Sequence, residues 1–221
     1  MAQQTDTTFI KQLLENKPEL FAGVLNHPNK NEVQVMYTQV NRDKNNKPSF
    51  KTYSYRIDPK HYFYPASTVK LAAVIFALEK VNELKVPGLT AYSTMITDTA
   101  FKGQTAVTQD LSAENGKPTL AHYIKKVLLT SDNDAYNRLF EFIGREEMNA
   151  KLKKYGMTDS RILNRLAIGD SGEREKNTNP IRFYNGEKLV YSKPALYDVN
   201  NYPLELTNLI VGKGYLDSKD Q

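Results

Sequence analysis

The chain has 221 residues, 40% of them hydrophobic and 25% charged, enough to bury the core of one large domain or two small ones. Its net charge of +5 spreads 30 basic residues among 25 acidic ones, and the Lys-rich stretches Lys44–Lys51 and Lys151–Lys154 carry no nucleic-acid motif, so they read as solvated faces. The absence of cysteine excludes disulfides, thiol nucleophiles and thiolate metal sites, and no apolar run reaches the roughly 18 residues that a membrane span needs.

The start, Met1-Ala2-Gln3-Gln4, has no basic-plus-apolar signal. It fits a mature exported protein carrying an added Met, and a natural cytoplasmic start is the alternative. The expected location is periplasmic or secreted, with a signal peptide removed. Thr7 to Asn16 places Phe9, Ile10, Leu13 and Leu14 on one helical face. Val33 to Tyr37 and Phe50 to Ile57 alternate as strands, and the polar Asn41 to Lys47 joins them as a hairpin. A helix followed by two antiparallel strands opens an α+β domain.

Pro65-Ala66-Ser67 leads into a strong helical pattern, Thr68 to Leu84, which Pro87-Gly88 ends. Thr90 to Gly116 reads as irregular. Three more helices follow: Pro118 to Leu129, Ala135 to Ile143 closed by Gly144, and Arg145 to Tyr155 closed by Gly156. From Met157 onward the chain is loop-rich. Lys188 to Tyr191 is one short strand candidate, no convincing strand pair follows Pro180, and Leu204 to Val211 is the last clear element.

Ser67-Thr68-Val69-Lys70 opens the most apolar helix, with Ser67 and Lys70 one turn apart on one face. A serine hydroxyl attacks only when something takes its proton. A lysine amine can do so once partial burial lowers its pKa, and the positive end of the helix helps hold an oxyanion. An S-x-x-K arises by chance about once in such a chain, and then Ser67 is an N-cap and Lys70 a surface lysine. Ser131-Asp132-Asn133, between two helices, is a much rarer tripeptide. Alone it would make a turn; after S-x-x-K it completes a penicillin-recognising pair of motifs.

On these residues the chain resembles class A β-lactamases and their DD-peptidase relatives. The likeness rests on Phe63 to Leu71, on Pro118 to Gly144 around Leu129 to Ala135, and on Arg161-Ile162-Leu163-Asn164-Arg165 through Asn177 to Pro180, which looks like the family's Ω-loop. It covers about Thr7 to Pro180. It implies a β-lactamase/DD-peptidase-like α+β fold, an antiparallel sheet with a mainly helical subdomain. It also implies roles: Ser67 attacks a lactam or peptide carbonyl, Lys70 takes or relays its proton, Ser131 passes a proton to the leaving nitrogen, and Asn133 binds the substrate amide and Lys70. Asp132 braces the loop. The substrate would be a small-molecule amide, a β-lactam or cell-wall peptide. No cofactor, metal or nucleic acid is expected.

Two departures shape the expectation. The family's third motif, Lys-Thr-Gly on an inner strand, is absent; Lys213-Gly214 is the nearest fragment. Class A enzymes also carry a water-activating glutamate after the Ω-loop arginine, whereas Leu166-Ala167-Ile168-Gly169 follows Arg165 here. Glu173 and Glu175 lie later and read as solvated loop charges. The expectation is one C-terminally incomplete domain: residues 1–66 a helix and hairpin, 67–160 helical, 161–180 Ω-loop-like, 181–221 unassigned. The missing strands, or another chain, would pair with the sheet edge. The function expected is acyl-serine hydrolysis with slow or no deacylation; the alternative is a non-catalytic module binding cell-wall peptide or β-lactam. His27, His61 and His122 lack metal-ligand spacing, and a Ser-His-Asp triad lacks a G-x-S-x-G elbow.

Overall fold

A computed structural model describes residues 5–169, 172–203 and 205. The contacts divide into two compact units that meet in sequence between Tyr62 and Phe63.

The first unit is a small sheet with two helices. Strands β1 (Thr5–Asp6), β2 (Val35–Arg42) and β3 (Pro48–Tyr55) pair in the order β1-β3-β2. β2 and β3 form the expected hairpin, antiparallel from Val35↔Tyr55 to Arg42↔Pro48. Asp43 closes its turn by accepting from the backbone of Asn45 at 2.9 Å and of Lys47 at 2.8 Å. β1 adds parallel to β3, through Thr5↔Thr52 and Asp6↔Tyr53. Asp6 then starts helix α1 (Phe9–Glu15), its carboxylate accepting from the N–H groups of Thr8 and Phe9 at 2.9 and 3.2 Å. A second helix, α2 (Pro18–Asn26), has Pro at its first turn, where the missing N–H costs nothing; the sequence reading did not separate it. Tyr53 is the buried anchor of this unit, its ring 4.5 Å from Phe9 and 5.9 Å from Tyr37.

The second unit carries the larger core. Its helices are α3 (Val69–Leu84), α4 (Leu120–Thr130), α5 (Asn133–Ile143) and α6 (Arg145–Lys154). Helix α5 is buried continuously from Ala135 to Ile143, with α3, α4 and α6 packed on it. Gly144, at φ +90°, turns the chain from α5 into α6 in a conformation that a Cβ disfavours. Two expectations are corrected here. Residues Thr94–Thr97, read as irregular, form strand β4, and a strand pair does follow Pro180: β6 (Ile181–Asn185) and β7 (Lys188–Lys193). The overlooked signal is Gly186-Glu187, a two-residue hairpin loop with glycine at its first position, where Gly186 sits at φ +60°. β4, β6 and β7 make an antiparallel sheet in that order, while β5 (Asn177–Thr178) pairs with β8 (Leu196–Tyr197). Phe183 of β6 meets Phe142 of α5 edge-on at 5.1 Å, joining sheet to helices. The described strands therefore form sheets of three, three and two. The candidate element Leu204 to Val211 and the fragment Lys213-Gly214 lie outside the described residues.

Candidate active site

Ser67 stands in a single 3₁₀ turn, Ala66–Thr68, which runs straight into α3. Thr68 closes that turn, its N–H and Oγ1 donating to Pro65 O at 3.0 and 2.6 Å. Ala66 is held at φ +46°, a left-handed backbone that costs a non-glycine residue about 1 kcal/mol or more. Backbone strain directly before Ser67 marks a tightly set turn, and it leaves Ser67 exposed at the mouth of the helix.

One turn on, Lys70 is buried, at 4% exposure. Its amine reaches across to the junction of α4 and α5. Nζ donates to Ser131 Oγ at 3.0 Å, to Asn133 Oδ1 at 2.7 Å, and to the carbonyl of Ser131. That carbonyl is aimed by another left-handed residue, since Ser131 ends α4 at φ +55°. Asp132 does not touch the amine. Its carboxylate caps α5 by accepting from Ala135 N at 2.8 Å and lies 3.6 Å from Lys126 Nζ, so it braces the junction. The structure thus brings Lys70, Ser131 and Asn133 together. No hydrogen bond links Ser67 Oγ to Lys70 Nζ among the described residues.

The chemistry of the amine follows from these neighbours. Burial pushes Lys70 below the usual lysine pKa, and the Asp132 carboxylate works in the opposite direction. Three acceptors meet the three protons of an ammonium. Lys70 must therefore shed a proton before it can take one from Ser67, and its burial eases that loss.

The segment after α6 is fastened from beneath. Asn149 of α6 exchanges two bonds with Ile162, and Tyr136 OH donates to Asn164 O at 3.2 Å. Asn137 exchanges two bonds with Leu166, and Glu141, wholly buried, pairs with Arg165 at 2.5 Å while accepting from the Asn179 N–H. The sequence reading missed Asn137 and Glu141. Asn133, Asp134 and Arg138 on the same helix give them no apolar background to stand out from in the sequence, and only their burial in the fold marks them as facing something specific.

No carboxylate stands at Leu166 or Ala167. Glu173 is held by Lys176 at 2.9 Å and Tyr197 OH at 2.6 Å, contacts that keep its carboxyl below the usual range. Glu175, expected as a solvated charge, is instead half-buried, 3.4 Å from Arg145. Both carboxylates are engaged in ion pairs of their own.

Other constellations fall away. Ser112, His122 and Asp110 do cluster, but one ring nitrogen, His122 Nε2, meets both Ser112 Oγ and Asp110 Oδ2 at 3.2 Å. Ser112 Oγ donates to Asp110 at 2.6 Å, so its proton is already engaged and no relay runs through the imidazole. Among the described residues no group of His, Cys, Asp or Glu could hold a metal, and no helix is long and apolar enough to cross a membrane.

A buried lysine joined to a Ser-x-Asn pair thus stands behind a serine at a strained helix start on an α+β fold. The chain belongs to the β-lactamase enzyme family, whose profile it matches over residues 19–193. Comparison with curated proteins gives no match. Membership in that family makes the chain a hydrolase of the serine β-lactamase kind, with a small-molecule substrate.

Proposed function

We propose that Ser67 is the nucleophile of a penicillin-recognising hydrolase that acylates readily and deacylates slowly or not at all. The carrying observation is the Lys70 amine bonded to both Ser131 Oγ and Asn133 Oδ1, which ties the two sequence motifs into one site. In the proposed step, neutral Lys70 takes the Ser67 proton as Oγ bonds to the carbonyl carbon of a β-lactam or D-alanyl peptide. The C–N bond then breaks, and the proton passes through Ser131 to the leaving nitrogen. Asn133 holds the substrate amide while keeping Lys70 in place. The lactam and peptide readings share this chemistry, and an exported location, periplasmic or secreted, suits either substrate.

The second step needs a base for water. The apolar Leu166-Ala167 and the committed Glu173 and Glu175 favour an acyl-enzyme that persists. The same observation favours the second reading, a module that binds these amides without turning them over. A fluorescent penicillin separates the two. Covalent labelling, located on the Ser67 peptide by mass spectrometry and lost in Ser67→Ala, supports acylation. Saturable binding without labelling supports the module. Rapid turnover with no detectable adduct would overturn both.

A further inference from the structure

Away from Ser67, Lys70, Ser131 and Asn133, a pocket opens between the loop at Phe101–Thr105, helix α5 and the segment that follows Arg165. Among the described residues its lining carries Lys102, Arg138, Arg165 and Arg174 and one carboxylate, Glu141. That carboxylate is spent: one oxygen pairs with Arg165 and the other accepts from the Asn179 N–H. Arg138 is the unusual member. It is only 4% exposed, its Nε and Nη1 have no hydrogen-bond acceptor, and its nearest carboxylate is the exposed Asp134, 3.8 Å away. Gln104 adds a third buried nitrogen without an acceptor. Its Oε1 takes the N–H groups of Ala100 and Phe101 at 2.8 and 2.9 Å, while Nε2 meets nothing.

Buried donors are almost always paired, and a buried guanidinium normally has a carboxylate or phosphate at hand. Here the unpaired donors of Arg138 and Gln104 line one cavity, and its described lining carries more cations than carboxylates. Asn177 Oδ1, an unpaired acceptor in the same lining, suits an oxyanion that keeps a proton. The loop permits close approach too: Gly103, at φ +88°, lies with its open face toward the Arg174 guanidinium, 3.8 Å from an ideal Cβ. We propose that this pocket binds a small oxyanion of the phosphate or carboxylate type, with Arg138 supplying the charge and Gln104 a directing N–H. Occupancy would tie the 101–105 loop and Arg174 to α5.

The test reads melting temperature in inorganic phosphate, in sulfate and in acetate against chloride at equal ionic strength. Phosphate in tenfold excess over its dissociation constant should raise the melting temperature of the wild type by roughly 3–6 °C. Sulfate carries no proton at neutral pH and acetate is planar, so their relative shifts separate a protonated tetrahedral anion from a carboxylate. Arg138→Met should abolish the shift. Gln104→Glu keeps the oxygen that holds Ala100 and Phe101 and places a carboxylate in the pocket, so it should fold and lose the response to every anion. No shift in the wild type beyond that in chloride, or an undiminished shift in Gln104→Glu, would overturn the proposal and leave the pocket to water.

Discussion

Asn137 holds Leu166 by both ends of its amide: Nδ2 donates to Leu166 O at 3.0 Å, and Leu166 N donates to Asn137 Oδ1 at 2.7 Å. A side chain thus stands in for a β-ladder partner and fixes the backbone just past Arg165. The clasp sits where a catalytic carboxylate would be expected and instead sets an apolar residue in place.

Asn137→Leu should therefore act on stability and on the loop. It strips partners from an N–H and a C=O held against a residue that is 1% exposed. The expected loss is about 2–4 kcal/mol in urea unfolding, since each unpaired buried group costs about 1–3 kcal/mol. Limited proteolysis should cut within 161–169 sooner than in the wild type. A loss under about 0.5 kcal/mol would mean that water replaces the amide.

Glu141→Gln probes the fastening one turn further along α5. The amide oxygen can still accept from Asn179 N, but the buried Arg165 guanidinium is left short of one carboxylate. Breaking a buried pair from one side costs about 3–5 kcal/mol, more than the pair itself contributes. Thermal unfolding should show this, and the double change with Arg165→Met should recover part of it. Equal losses in the single and double variants would place the energy elsewhere.

Much of this was legible in sequence because the signals were local. Ser67 and Lys70 open a helix whose apolar run declares itself, and Ser131-Asp132-Asn133 breaks two others. The hairpin of β2 and β3 alternates plainly. What escaped was set by tertiary contact or by short length. Thr94–Thr97 is four residues long and is a strand through its pairing with Ile181–Tyr184. The Gly186-Glu187 turn was passed over because Arg182 and Tyr184 interrupt the apolar pattern; Arg182 Nη2 lies 2.7 Å from Asp98 Oδ1 and its Nη1 2.6 Å from Tyr184 OH. The resemblance implied that Asn133 would meet Lys70, whereas the bonds from the amine to Ser131 Oγ and to the Ser131 carbonyl are ones that only the folded junction of α4 and α5 creates.

Lys70 gives a pH signature. Only its neutral form can take the Ser67 proton, and burial holds its pKa below the ordinary lysine value of 10.5. The acylation rate with a slow β-lactam should therefore rise with pH through an inflection below 10.5. Lys70→Arg keeps a cation for Asn133 and Ser131 but does not deprotonate, and should cut the rate about 10²–10⁴-fold at every pH tested. Stopped-flow labelling with a fluorescent penicillin measures both. A rate in Lys70→Arg within threefold of the wild type would remove Lys70 from proton transfer.

Lys193 supplies a separate test, of stability and not of catalysis. It ends β7 at 3% exposure, its amine donating to Thr178 Oγ1 at 3.0 Å, Asn179 O at 3.2 Å and Pro194 O at 3.1 Å. Burial, helped by the charge of Lys80, pushes its pKa down to about 8. In the unfolded chain the same amine titrates near 10.4. Below about pH 8 it is charged in both states, and folding carries the full cost of burying the ammonium. Between about 8 and 10.4 the unfolded chain binds more protons, so stability rises with pH across that window. Lys193→Met lacks the group and its slope. The wild-type stability minus that of Lys193→Met should climb by about 1–3 kcal/mol between pH 7.5 and 10, read from urea midpoints. A flat difference would mean that the three oxygens around the amine hold it charged throughout.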